Sequence, residues 1–176
     1  MLKSSDTLVL MIDVQEKLVN ATHAENEVKQ AEKIIKTAEI LGIPTLVSEQ
    51  YPKGLGQTTP SLKNGTQKYI EKTAFSLLKE PNALETIKSF GKKQVILFGI
   101  EAHICVYQTA MELLENGYEV YLVKDASKSR KDYEFNAGIE LMRQNGVKIS
   151  CVEIVLFELL ESSKNPHFKE VQQLIK

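Results

Sequence analysis

The sequence predicts an α/β fold in three layers, helices covering both faces of a Rossmann-like parallel sheet. Two observations carry this. Strand-like and helix-like runs alternate from end to end, the order a parallel sheet requires. The strand-like runs are also continuous stretches of Val, Ile and Leu instead of alternating ones, as in strands buried on both faces.

The strands are expected at Thr7 to Asp13, Ile43 to Ser48, Gln94 to Gly99, Glu119 to Lys124 and Val147 to Val152, with a weaker one around Gln67 to Glu71 before Lys72. Helices fill the gaps. Val28, Ala31, Ile34, Ile35, Ala38 and Leu41 share one helical face, and Gly42 follows as a C-terminal cap. After Cys105, residues Val106, Ala110, Leu113 and Leu114 share another face, with Gly117 beyond the last turn. Further helices are expected at Asn82 to Phe90, Tyr133 to Asn145, Glu153 to Leu160 and from about Pro166 onward. Between them Tyr51 to Gly65, with two prolines and three glycines, reads as a long irregular loop, a candidate lid or pocket wall.

A chain of 176 residues suits one domain spanning 1–176. Its 22 basic and 23 acidic residues are scattered, which argues against nucleic acid as a partner. Apolar runs fall short of a membrane span, and the start is too polar for a secretory signal, so a cytoplasmic address is expected. Two cysteines make no disulfide framework and are expected as free thiols.

In an open parallel sheet, ligands bind beyond the carboxyl ends of the strands where strand order reverses. Asp13 closes the first strand, and Cys105 follows Gly99 at the end of the Gln94 strand; in the order 3-2-1-4-5-6 these two strands are neighbours. Cys105 is placed in the first turn of the next helix, where free N–H groups and the helix dipole favour a thiolate and can receive an oxyanion. Asp13 is the candidate base, whereas periodicity does not choose a lysine partner. The bland alternatives are a core cysteine and a turn-forming aspartate. Cys151, within an apolar strand, is assigned to the core, and His103, two positions from Cys105 on one helix, should point away from it.

At these residues the sequence resembles the isochorismatase-like hydrolases, and the resemblance covers nearly the whole chain. The motifs are Leu8-Val9-Leu10-Met11-Ile12-Asp13-Val14-Gln15, Lys72-Thr73-Ala74-Phe75-Ser76 and Gly99-Ile100-Glu101-Ala102-His103-Ile104-Cys105-Val106. The resemblance implies the isochorismatase-like fold, a triad of Asp13 as base, Lys72 as charge partner and Cys105 as nucleophile, and a cis peptide between Ile100 and Glu101. It further implies an oxyanion hole from the backbone N–H groups of Glu101 and Cys105. Ser48 to Gly56 and Val155 to Leu160 bring it nearest to the isochorismatase domain-containing subgroup, without chemistry assigned to those segments.

Metal-containing nicotinamidases of this family carry an Asp and two His after the second strand. Here that region reads Glu49-Gln50-Tyr51, so neither metal nor cofactor is expected, and Gln15, Gln50, Tyr51 and Phe75 are the candidate pocket residues. The expected activity is hydrolysis of a small-molecule amide, or a related carbon–nitrogen or ester bond, through a thioester, by a homo-oligomer. The alternatives are an idle scaffold and a redox sensor in which Cys151 resolves a low-pKa Cys105.

Overall fold

The computed structural model describes all 176 residues. Six strands, β1 (Thr7–Ile12), β2 (Thr45–Gln50), β3 (Lys68–Lys72), β4 (Gln94–Gly99), β5 (Glu119–Val123) and β6 (Lys148–Ser150), form one sheet in the order β3-β2-β1-β4-β5-β6. Every neighbouring pair is parallel. The α/β class and the strand order expected from the sequence are both present.

Eight α-helices join the strands: α1 (Glu16–Thr22), α2 (Glu25–Ile40), α3 (Pro52–Leu55), α4 (Ala83–Ser89), α5 (Tyr107–Glu115), α6 (Asp132–Gln144), α7 (Val152–Leu160) and α8 (Phe168–Gln173). Strand side chains alternate between two cores. Val9, Met11, Ile96 and Phe98 meet α2, α7 and α8 on one face, and Leu8, Leu10, Val95 and Leu97 meet α4, α5 and α6 on the other. β1 is buried along its whole length, which is why it lacks a polar alternation.

Register brings the strand ends together. Ile12 pairs with Ser48 on one side and Gly99 on the other, and Gln50 pairs with Lys72. Gly99 has φ 144°, and a Cβ there would lie 2.0 Å from the Ile12 carbonyl oxygen, so the close approach of β1 and β4 requires glycine. No helix is long and apolar enough to cross a membrane.

Four sequence expectations need correction. The stretch Tyr51 to Gly65 contains α3 and a 3-10 turn at Pro60–Leu62, and it is pinned rather than free. Thr58 bridges to Gln15 and donates from its backbone N–H and its hydroxyl to the buried Glu49 carboxylate, both at 2.7 Å. Helix α1 is absent from the sequence reading because it starts at Glu16 without a side-chain cap and buries only Val19 and Thr22. The last helix is six residues long, starting at Phe168. Finally, β6 stops at Ser150: Asp125 Oδ1 accepts the Val152 N–H at 2.9 Å and starts α7 early, leaving Cys151 half-buried at the helix start instead of in the core.

Candidate active site

Asp13 follows β1 in a left-handed conformation (φ 53°) that turns the chain out of the sheet. It is fully buried. Its N–H donates to the Ser48 carbonyl at 3.1 Å, and the Ser48 hydroxyl donates to Oδ1 at 2.6 Å. The end of β2 thus fixes both the backbone and one carboxylate oxygen.

The other oxygen meets Lys72. Nζ lies 2.6 Å from Asp13 Oδ2, both side chains being wholly inaccessible. Nζ also donates to Gln50 Oε1 at 2.5 Å and to the carbonyls of Ala74 and Phe75 at 3.2 and 3.0 Å. A buried ammonium requires such a full set of acceptors. The turn presenting those carbonyls is itself held, because Glu80 Oε1 accepts the N–H groups of Thr73 and Ala74 at 2.6 and 2.8 Å.

Cys105 lies in a π-helical turn, Ala102–Val106, that leads into α5, and is 7% exposed. Its thiol lies close enough to Asp13 and Lys72 for both charges to act on it. The Ile100–Glu101 peptide is cis. The Glu101 N–H is engaged by no acceptor of the chain. Two contacts dock the Lys72 turn on α5: the Leu77 N–H donates to Thr109 Oγ1 at 3.1 Å and the Ser76 hydroxyl to Glu112 at 2.7 Å.

Charge in the trio is coupled. Burial pushes the Asp13 carboxyl above its ordinary range, with Lys72 and Ser48 opposing. Cys105 is pushed up to about 12, chiefly by burial and then by the Asp13 charge, while Lys72 pulls the other way. Burial thus opposes the thiolate that a helix start favours.

The isochorismatase domain family matches residues 7–154. The chain belongs to the isochorismatase family. It is 40% identical to isochorismatase domain-containing protein 2 of Danio rerio over 99% of this chain and 89% of that one. The structure called MAR1 ribonuclease from Caenorhabditis elegans superposes with a TM-score of 0.91 at 37% identity, covering 99% of this chain and 91% of that one. YcaC of Escherichia coli, described as an octameric hydrolase of unknown specificity, shares the fold at 22% identity, with a TM-score of 0.90 over 99% of this chain and 94% of that one.

Of the candidate pocket residues of this isochorismatase-family chain, Tyr51 and Phe75 are exposed beside the Lys72 turn. Gln15 is not. It is fully buried, donates to the carbonyls of Gln50 and Gly56 at 3.0 and 2.6 Å and accepts the Gln50 N–H at 2.7 Å, so it ties the end of β2 and the segment after α3 to β1. Gln50 is committed likewise, its oxygen to Lys72 and its amide N–H to the Thr73 carbonyl at 2.9 Å. Ser48, Glu80 and Thr109 carry contacts the sequence reading did not assign. Ser48 was legible as the β2 residue opposite Ile12, given the strand order.

His103 turns toward Ser129 Oγ (2.9 Å) and Glu134 of α6 (3.7 Å). Counting histidines alone misses that Glu101, His103 and Glu134 place ligand atoms within 4.8 Å of one another. Arg130 Nε already lies 3.0 and 3.2 Å from the two oxygens of Glu101, so the trio suits an ion-pair network better than a cation.

Proposed function

We propose that this chain is a metal-independent cysteine hydrolase of a small amide, or a related carbon–nitrogen or ester bond, working through Cys105, Asp13 and Lys72. The observation that carries this reading is the buried Asp13–Lys72 ion pair at 2.6 Å, set close enough to Cys105 for both charges to act on its thiol. A neutral thiol beside a carboxylate of raised basicity is a base-activated nucleophile. As Sγ attacks the carbonyl carbon, the thiol proton passes to Asp13. The oxyanion is received by the N–H groups of Glu101 and Cys105. Collapse expels the leaving amine, which takes the proton from Asp13. Water then attacks the thioester, again with Asp13 as base, and frees the acid and the thiol.

Lys72 balances the carboxylate while it is charged and keeps Asp13 from staying protonated between cycles. Tyr51 and Phe75 offer aromatic walls to the substrate. Homo-oligomeric assembly and a cytoplasmic place belong to this reading, the mass in solution being the check on the first. Turnover of a panel of small amides and activated esters tests the chemistry. Cys105→Ala is expected to lower it at least about a thousandfold, and turnover that survives the substitution overturns the assignment.

The relative from Caenorhabditis elegans at 37% identity is called a ribonuclease, which favours a second reading, cleavage of RNA. The balanced charge argues against it, and an idle scaffold is disfavoured by the intact buried trio.

A further inference from the structure

The segment that would supply the oxyanion donors is short, residues 100–105, and it lies beyond the end of β4. Something must hold it. Residues Lys128 to Arg130, beyond β5, run alongside it: the Lys128 N–H donates to the Gly99 carbonyl at 3.2 Å, the Ala102 N–H donates to the Lys128 carbonyl at 2.9 Å, and Ile100 bridges to Lys128 in parallel. On the far side α6 presses close, for a Cβ at Gly138 would lie 2.8 Å from His103 Cα.

At the centre of this seam stands Glu101, 8% exposed. Oε2 accepts the Arg130 backbone N–H at 3.1 Å and Nε at 3.2 Å, and Oε1 lies 3.0 Å from the same Nε. A carboxylate on the residue whose N–H receives an oxyanion is an electrostatic liability, since like charges at close range in a buried site repel strongly. The guanidinium offsets that charge through Nε, which lies against both carboxylate oxygens, and with the Arg130 backbone N–H it fixes where residue 101 sits. The guanidinium side chain is itself 58% exposed, so its contribution to global stability is small.

We propose that Arg130 is a positioning residue for the hydrolysis: it clamps and neutralises Glu101 so that the Glu101 N–H faces the carbonyl oxygen of the substrate. This rests on the cysteine-hydrolase reading above. Two reagents separate the roles. p-Nitrophenyl acetate acylates a thiol through a tetrahedral oxyanion: the S–C bond forms, the C–O bond to the aryl group breaks, p-nitrophenolate leaves and the thiol proton goes to Asp13. Iodoacetamide alkylates by direct displacement of iodide and builds no oxyanion. The ratio of the two rates cancels the ionisation of the thiol and reads the oxyanion donors alone.

The ratio is measured at Cys105 by peptide mass spectrometry on the full-length protein, with the half-buried Cys151 of the same molecule as reference. Wild type is expected to give a ratio far above that of Cys151. Arg130→Ala is expected to lower it about tenfold, less than the roughly 10²-fold of losing an oxyanion donor outright, with the iodoacetamide rate unchanged. Arg130→Lys keeps the charge but not the Nε–H at its place against both Glu101 oxygens, and is expected to recover part of the loss. A high wild-type ratio that Arg130→Ala leaves unchanged, or that lysine restores in full, overturns the clamp while the hydrolase reading stands. A wild-type ratio no higher than that of Cys151 means there is no oxyanion hole, and both fall together.

Discussion

Asp13 holds three charges' worth of consequence in one side chain. It is the ion-pair partner of Lys72, the proposed acceptor of the Cys105 thiol proton and, after burial itself, the next cause of the thiol being pushed up to about 12. Replacing it with Asn keeps the shape, removes the charge that disfavours the thiolate and leaves Lys72, whose charge favours it. The sign is therefore opposite for reactivity and for turnover. In Asp13→Asn the thiol should ionise at lower pH, and iodoacetamide labelling of Cys105 near neutral pH should rise about tenfold or more. Hydrolysis should fall by about 10²–10⁴, the range of a lost general base. Slower labelling in this variant would mean that Asp13 holds a thiolate ready at rest, contrary to the base-activated mechanism. The residue scale is also where periodicity says least: Asp13 and Cys105 were legible from their places at strand ends, but Lys72 only from the family motif, because a buried lysine looks like any surface lysine until its four acceptors are known.

Elements set these residues face to face. The parallel strands were legible because burial on both faces demands unbroken apolar runs, as Leu8 to Ile12 and Val95 to Phe98 show. What escaped depended on single capping contacts. The Asp125 carboxylate moves the start of α7 and takes Cys151 out of the strand, and α1 begins on an uncapped Gln15. The tightest joint between elements is that of β1 and β4 at Gly99, where φ 144° and the Ile12 carbonyl leave no room for a side chain. Gly99→Ala must part the two strands whose ends carry Asp13 and lead to Cys105. It is expected to destabilise by more than about 3 kcal/mol, which for a chain of this size lowers the melting temperature by roughly 6–12 °C. A melt within about 2 °C of wild type would show that β4 shifts without strain, and the site would then tolerate looser strand placement than the register implies.

On the scale of the whole molecule, charge decides between the two chemistries. The chain carries 22 basic against 23 acidic residues, and some of the basic ones are paired with nearby carboxylates, as Lys79 is with Glu112, Lys148 with Glu119 and Arg143 with Glu140. A protein that grips a phosphate backbone releases counterions and loses affinity steeply as salt rises. Here no excess of positive charge is available to do so. Single-stranded RNA, followed by fluorescence anisotropy at low salt, is therefore expected to show no saturable binding, and wild-type protein to leave it uncut. Binding that weakens log-linearly with salt, together with cleavage, would establish the ribonuclease reading instead. Cys105→Ala then locates the activity: cleavage lost with the thiol would assign a phosphodiester to the same trio, and cleavage that survives would place it elsewhere on the surface, leaving Asp13, Lys72 and Cys105 without a part in it.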